Sequence, residues 1–468
     1  MWVSAACLAL ALDVRTAHGQ NTPTRAAATQ RFRLENGLDV VLEPQPQRAQ
    51  VAVLVRYHVG RRDQPAGYTG LAHLVEHLMF ERSAHGSSHF IESLEAMGAT
   101  DVNGVTSSDY TTYYEVVPPH QLQRTLWLES DRMGHLLARI NERSLDAQRR
   151  VVLNEDRERT AGPRMTFLRA IHERLYPTGH PYREIGEFHE DLEAISVANI
   201  QWFYQRWYTP ANATLVVVGS FDPRVIRTAI ERDFGSLRGG PAPARAAPAA
   251  INVAGDLRVT VDAPVFNEQL FFLWPSPPIH AQGDAALDLL ASVLATPSIG
   301  RLHRRLVHDL DFAEDVRVTQ QSQELCSQFS VQVIATEEHT ADELLPIVQE
   351  ELQALRADPV SSDELVAAKR AFVDHIRSSS SSVLARAEQL ARYSRWSATE
   401  IDLTERDAAR YESVTALDLQ NAARNILRTD ARVVARLRRA RRAPAEGQVA
   451  SLTSSTSRAA QSVQGTRR

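Results

Sequence analysis

Hydrophobic positions along this chain fall into two successive runs of the same kind. In the first, short apolar stretches at Leu38 to Leu42 and Val51 to His58 are rich in Val and Leu and read as strands. A longer run, GYTGLAHLVEHLMF, is free of proline after its glycines and built of good helix formers, so it reads as a helix. Strand character returns near Thr106 to Val117. Helical segments follow, and the run closes on the strand Thr214 to Gly219. The second run opens with strands near Leu257 to Val261 and Gln269 to Trp274. It continues through a helix from Asp284 to Leu294 and closes on Ala431 to Leu437. Between the runs, an alanine- and proline-rich stretch begins at Gly239.

Equal spacing of opening and closing strands implies an internal duplication of one α+β unit. The expected architecture is α+β: two homologous α/β sandwich domains, each a mostly antiparallel sheet with helices packed on it. Expected boundaries are residues 30–238 and 257–442, with a linker at 239–256 and a disordered Ser-, Thr-, Gln- and Ala-rich tail at 443–468.

Within the first helix, His73, Glu76 and His77 leave one face. At about 100° per residue, His77 lies roughly 40° to one side of His73 and Glu76 roughly 60° to the other. Two imidazoles one turn apart can share a metal ion, and the carboxylate between them can reach a water on that ion. The alternative is a solvated polar stripe. Leu71, Leu74, Leu78, Met79 and Phe80 flank the stripe, however, so the helix is expected to be mostly buried, where unpaired polar groups are costly. The corresponding helix of the second run, DAALDLLASVL, has no histidine. One half therefore carries the metal, and the other is a structural or substrate-holding copy.

A third ligand is expected from a second helix, SLDAQRRVVLNEDRER. Leu145, Val151 and Val152 mark its expected buried face, and Glu155 follows Val151 by four and Val152 by three. Glu158, one turn further, is the rival carboxylate, and spacing leaves both open.

Composition narrows the chemistry. The chain has 468 residues, 43% hydrophobic and 23% charged, with a net charge of −5, which gives no electrostatic case for nucleic acid. Its two cysteines, Cys7 and Cys326, allow neither a disulfide framework nor a thiolate zinc site. Lys369 is the sole lysine, and the arginines at 436, 438, 439, 441 and 442 read as a solvated strand end. The apolar run VSAACLALAL followed by Ala17-His18-Gly19 is expected to be an export signal over residues 1–20, although no Lys or Arg precedes it. That places the mature chain in the periplasm or outside the cell, and in the cytoplasm if no export occurs. No later stretch is long and apolar enough to span a bilayer, so no transmembrane anchor is expected after signal removal.

Four ordered blocks resemble the pitrilysin and mitochondrial processing peptidase family of inverted zinc proteases. They are GLAHLVEHLMF, NGVTSSDYTTYY (Asn103 to Tyr114), RRVVLNE and FYQRWYTPANATLVVVGSFDP, and the likeness runs from about Phe32 to Leu437. The resemblance implies His73, His77 and Glu155 as ligands of one zinc ion per chain, and Glu76 as general base in peptide hydrolysis. It implies that Asn103, Gly104, Val105 and Thr106 form a sheet edge on which a peptide or unfolded protein substrate docks as an added strand. It also implies clamshell assembly on dimerisation.

Two positions depart from that pattern. Gln148 stands where many relatives carry a second acid. Val307 and Glu314 stand where relatives that hold the substrate carbonyl carry an arginine and a tyrosine. The chain thus resembles the zinc-bearing member of a pair, with a homologous partner subunit supplying the Arg/Tyr pair. Its alternatives are a catalytically weak or inactive assembly subunit, and a metal-binding protein without hydrolysis, against which Glu76 argues.

Overall fold

The computed structural model describes residues 29–440 except 87, 161, 246, 298, 379, 380 and 398; the expected signal segment, the tail, Cys7, Arg441 and Arg442 lie outside the described residues. The first half runs β1 (Gln30–Arg33), β2 (Asp39–Pro44), β3 (Val51–Tyr57), α1 (Leu71–Leu78), α2 (Phe90–Glu95), β4 (Thr100–Thr106) and β5 (Thr111–Val117). It continues α3 (Leu122–His135), α4 (Glu142–Thr160), α5 (Pro163–Leu175), α6 (His189–Ala194), α7 (Val197–Trp207), β6 (Ala213–Gly219) and α8 (Pro223–Phe234). The second half runs β7 (Gly255–Ala263), β8 (Gln269–Ser276), α9 (Asp284–Ala295), the short α10 (Arg301–His303), β9 (Ala313–Gln321) and β10 (Ser327–Ala335). It ends with α11 (Ala341–Ala357), α12 (Ser362–Ser378), α13 (Val383–Tyr393), α14 (Thr404–Glu412), α15 (Ala416–Ile426) and β11 (Ala431–Arg439).

The sheets repeat one topology. The first is ordered β1-β2-β6-β3-β5-β4 and the second β7-β11-β8-β10-β9. In each, the opening strand pairs parallel with the closing strand (β2 with β6, β7 with β11), and the pairs from there to the far edge are antiparallel. Both long apolar helices that follow the second core strand start on a glycine in the left-handed region, Gly70 at φ 89° and Gly283 at φ 92°. The helices before the closing strands both begin with a capping box, Ser196 with Asn199 and Thr415 with Asp418. The edge strand β4 begins at Thr100, earlier than expected from the pattern, because its Asp, Asn and Gly residues hide strand character that pairing with β5 supplies.

Strands β2, β3 and β6 are buried at every position, which explains why they read as continuous apolar runs. Alternate residues face two cores. Val40, Leu42, Val53, Val55, Leu215 and Val217 face the helices of their own half. Val41, Ala52, Leu54, Val216 and Val218 face α13, contributed by the second half through Val383, Ala387 and Leu390. The second sheet is covered reciprocally: Phe271, Leu273, Val433 and Ala435 pack against Phe167, Ile171 and Leu175 of α5. Each half thus lends one helix to the back of the other's sheet, and the packing units cross the linker. The described residues of 239–254 carry no regular structure, yet Ile251 and Val253 join that shared core.

Charges at the crossing are paired. Arg386 of α13 contacts Glu43 and Asp402 at 2.7 and 2.6 Å, and Arg62 bridges Asp109 and Glu324, both at 2.7 Å. At the end of β11, Arg436 is buried against Asp342 at 2.7 Å, and Arg438 pairs with Asp262. Of the arginines expected at a solvated strand end, Arg438 is partly exposed and Arg439 donates to the carbonyls of Phe266 and Glu337, whereas Arg436 is buried.

Leu390 is fully buried at the crossing. Leu390→Ala is expected to cost about 2–5 kcal/mol and to lower the midpoint of urea unfolding, because the cavity opens between both halves.

Candidate metal centre

Helix α1 is fixed at its first turn. A Cβ on Gly70 would meet Leu192 at 2.6 Å and Glu187 at 3.0 Å, so only glycine allows the close approach as well as the positive φ. Gln64 Oε1 accepts from the free amide of Ala72 at 2.9 Å. Leu71, Leu74, Val75 and Leu78 are buried in the first core, which turns His73, Glu76 and His77 toward α4 and β4.

The predicted ligand atoms converge. His73 Nε2 and His77 Nε2 stand 3.2 Å apart, and Glu155 Oε2 lies 3.6 Å from the former and 3.5 Å from the latter. Glu76 is buried beside them, and its Oε2 has no hydrogen-bond partner. Burial holds the His77 imidazole below its ordinary pKa, and the neighbouring His73 adds to this, against the pull of Glu155 and Glu76. A neutral imidazole is the form that binds a metal. Two imidazole nitrogens and one carboxylate oxygen around one point, next to an unpartnered buried acid oxygen, fit a zinc ion with an open fourth position. Cys326 is no rival donor, since it lies against His180 and outside the lining of this site.

Glu158 is exposed, whereas Glu155 faces the site half-buried. Val151, expected on the buried face of α4, is exposed; Val152 and Leu145 alone define that face, and Glu155 follows Val152 by three.

Sequence reasoning missed Glu187. Its carboxylate accepts a hydrogen bond from His73 Nδ1 at 2.9 Å, which commits Nε2 to the metal side. The loop presenting it is stitched to the start of α1: Thr69 donates to Asp191 at 2.8 Å, and Phe188 N donates to Thr69 Oγ1 at 2.8 Å. Arg169 holds the Glu187 carbonyl at 2.8 Å. Nothing periodic in GEFHE marks this role, because it arises from a contact between distant segments.

A cavity of about 520 Å³ opens on these groups. It is lined by the metal set, by Glu187 and Gln148, and by Asn103, Gly104, Val105 and Thr106 of β4, an edge strand of the sheet. Gly104 has a packing reason: a Cβ there would meet Glu76 at 3.0 Å and Phe80 at 3.1 Å. Asn103 is not a turn residue; it lies within β4, and its Oδ1 accepts from Gly104 N at 2.8 Å. Gln148 lines the cavity and donates to Glu81 at 2.8 Å. Arg61, also missed, lines the cavity and donates to Thr106 O at 3.1 Å.

In the second half, Val307 packs against the apolar core and Glu314 is exposed at the start of the edge strand β9. Neither offers a donor to a substrate carbonyl.

A helix pair carrying two histidines and two acids beside a sheet edge can hold one metal ion next to a general base. Residues 39–185 match the model "Insulinase (Peptidase family M16)", and residues 194–372 match "Peptidase M16 inactive domain". The chain belongs to this family, the pitrilysin group, with the two-domain M16 fold. It is 31% identical to the zinc protease PqqE of Helicobacter pylori over 212 residues, which is 44% of this chain and 46% of that one. It is 26% identical to the beta subunit of the mitochondrial-processing peptidase of Blastocladiella emersonii, over 50% of each chain. The chain spans about half or less of the length of the curated relatives it matches. Among solved structures, a protease from Helicobacter pylori superposes with a TM-score of 0.80 at 23% identity, covering 88% of this chain and 99% of that one. The periplasmic protease PqqL from Escherichia coli gives 0.70 at 19% identity, covering 87% and 47%.

Glu187→Ala is expected to weaken zinc binding about 10- to 100-fold in chelator competition, and Glu187→Gln to retain most of it, since the amide oxygen still accepts from His73.

Proposed function

We propose that this chain is a zinc-dependent endopeptidase or oligopeptidase and the zinc-bearing subunit of a dimer. The observation that carries this reading is the unpartnered buried oxygen of Glu76 beside three converging ligand atoms. His73, His77 and Glu155 would hold the zinc, which when bound supplies Lewis acidity to a water and to a carbonyl oxygen. Glu76 takes the proton from the attacking water and hands it to the departing amine. His73 is kept in one tautomer by Glu187. The β4 edge receives the peptide as an additional strand, with Asn103 to Thr106 beside the site, and Gly104 keeps that strand close to Glu76.

The partner is a homologous subunit carrying the arginine and tyrosine absent here. The position of Glu314 supports this, because a carboxylate repels a developing oxyanion. A periplasmic or secreted location is part of the proposal. It is supported by the expected export signal and by the periplasmic PqqL among the structural relatives.

A second reading, an inactive assembly subunit, draws on Glu314 and on the similarity to the solved "peptidase M16 inactive domain" of Pseudomonas fluorescens (TM-score 0.78, 17% identity, 88% of this chain and 98% of that one).

Assayed on a peptide library, Glu76→Gln is expected to keep its zinc and lose about 10²- to 10⁴-fold in kcat. Zinc bound with no cleavage by the unaltered chain, alone or with a partner, favours the assembly reading.

The partner makes a separate expectation. The chain alone should cleave weakly and gain activity when a zinc-less homologue is added, whereas full activity as a single polypeptide defeats the dimer.

A further inference from the structure

We propose that His85, Asp131 and His135 form a second metal site, for a divalent transition ion of the zinc, nickel or copper class. Asp131 and His135 lie one turn apart on α3 and so leave the same face, while His85 comes from the segment between α1 and α2. One donor atom from each of the three lies within 4.8 Å of the others.

The centre of the group is oriented from behind. The Asp131 side chain is 3% exposed, and its Oδ2 accepts from Ser83 Oγ and, at 3.3 Å, from the backbone amide of His85. Oδ1 is hydrogen-bonded to His85 Nδ1 at 2.5 Å, a contact that a bound ion would open, and the His85 and His135 rings stand edge to face with centroids 4.9 Å apart. A carboxylate held by hydrogen bonds, against one imidazole and within 4.8 Å of a second, has the composition and supporting contacts of a metal site. Two nitrogen donors and one oxygen select borderline transition ions over calcium or magnesium, which favour oxygen sets. Both histidines are exposed, so water can complete the coordination.

None of these residues belongs to the His73, His77 and Glu155 set, and the inference does not depend on peptidase activity. Its consequence is mechanical. The ion ties the segment carrying Ser83 and His85 to α3. That segment leads from Glu81, the partner of Gln148, to α2, whose Ile91 lines the cavity. Arg139 reinforces the same tie by donating to Ala84 O at 3.0 Å.

The test uses the full chain, stripped with EDTA and dialysed against zinc, with metal per chain read by mass spectrometry and thermal shift recorded in parallel. The His73→Ala/His77→Ala variant should still hold one equivalent and gain Tm with zinc. Adding His85→Ala and His135→Ala should remove that equivalent and the Tm gain. In the otherwise unaltered chain, His85→Ala/His135→Ala should lower zinc from two equivalents to one. A His73→Ala/His77→Ala chain that is folded by circular dichroism yet holds no zinc overturns the site. So does zinc retention that is unchanged by His85→Ala/His135→Ala.

Discussion

Each sheet of this molecule has two apolar faces and only one set of helices of its own to cover them. Strands β2, β3 and β6 expose nothing on either side, so the second face must be buried by something outside the half that makes it. The solution is exchange: α13 lies on the first sheet and α5 on the second. Because the borrowed helix is covalently part of the other half, neither sheet can be fully buried unless both are. The ion pairs that cross with the helices follow from the same burial. Arg386 and Arg62 enter a region of low accessibility and each meets two carboxylates, as a charge removed from water requires.

That arrangement also determines where the site can be. With both faces covered, the first sheet is accessible at its edges, β1 and β4, and the edge β4 is a row of backbone groups able to pair with another strand. Helix α1 packs beside this edge, and Gly104 allows the two to approach until the strand touches the Glu76 side chain. Beneath them the core carries its own charge cluster. Arg132 is fully buried against Glu129, under the rings of Phe90 and Tyr113, and burial pushes the neighbouring Glu115 carboxyl well above its usual range. Those rings reach the site through Phe80, which packs on both Phe90 and Tyr113. One ring of this packed layer, Phe80, thus lines the cavity.

How much of this was legible depended on whether the cause was local. His73, Glu76 and His77 share one helix face, so their grouping follows from a 3.6-residue period and could be read directly. The duplication was legible as a repeated order of apolar runs, and the paired sheet topologies match it. Glu155 was reachable as one of two acids, and was separated from Glu158 by resemblance before geometry. Glu187 was not reachable, because it meets His73 only through the loop stitched by Thr69 and Asp191. Val151 was misplaced for the opposite reason: its hydrophobicity indicated burial, but its angular position on α4 is one residue off the face that Val152 and Leu145 define. The helix exchange had no sequence signature, since α5 and α13 have the same amphipathic pattern whichever sheet they cover.

The second half shows what the same scaffold does without a metal. Counting from the left-handed glycines that start both helices, His73, Glu76 and His77 correspond in α9 to Ala286, Leu289 and Leu290, all buried. In the second half Leu289 and Leu290 fill the aliphatic core, and Ala286 borders a different cavity, of about 790 Å³, together with Arg406 and Arg410. Acids persist on α9, but protein groups satisfy them. Asp284 is held by Arg410 at 3.0 Å, and Asp288 accepts from Tyr411 at 2.7 Å while burial pushes its carboxyl up to about 7. A buried acid on this helix must be neutralised by a cation, a proton or a donor. In α9 the neighbouring helix α14 supplies both the arginine and the tyrosine, whereas around Glu76 the described residues leave one carboxylate oxygen with no partner. That unfilled demand distinguishes the two halves chemically, and it lies where the histidines converge.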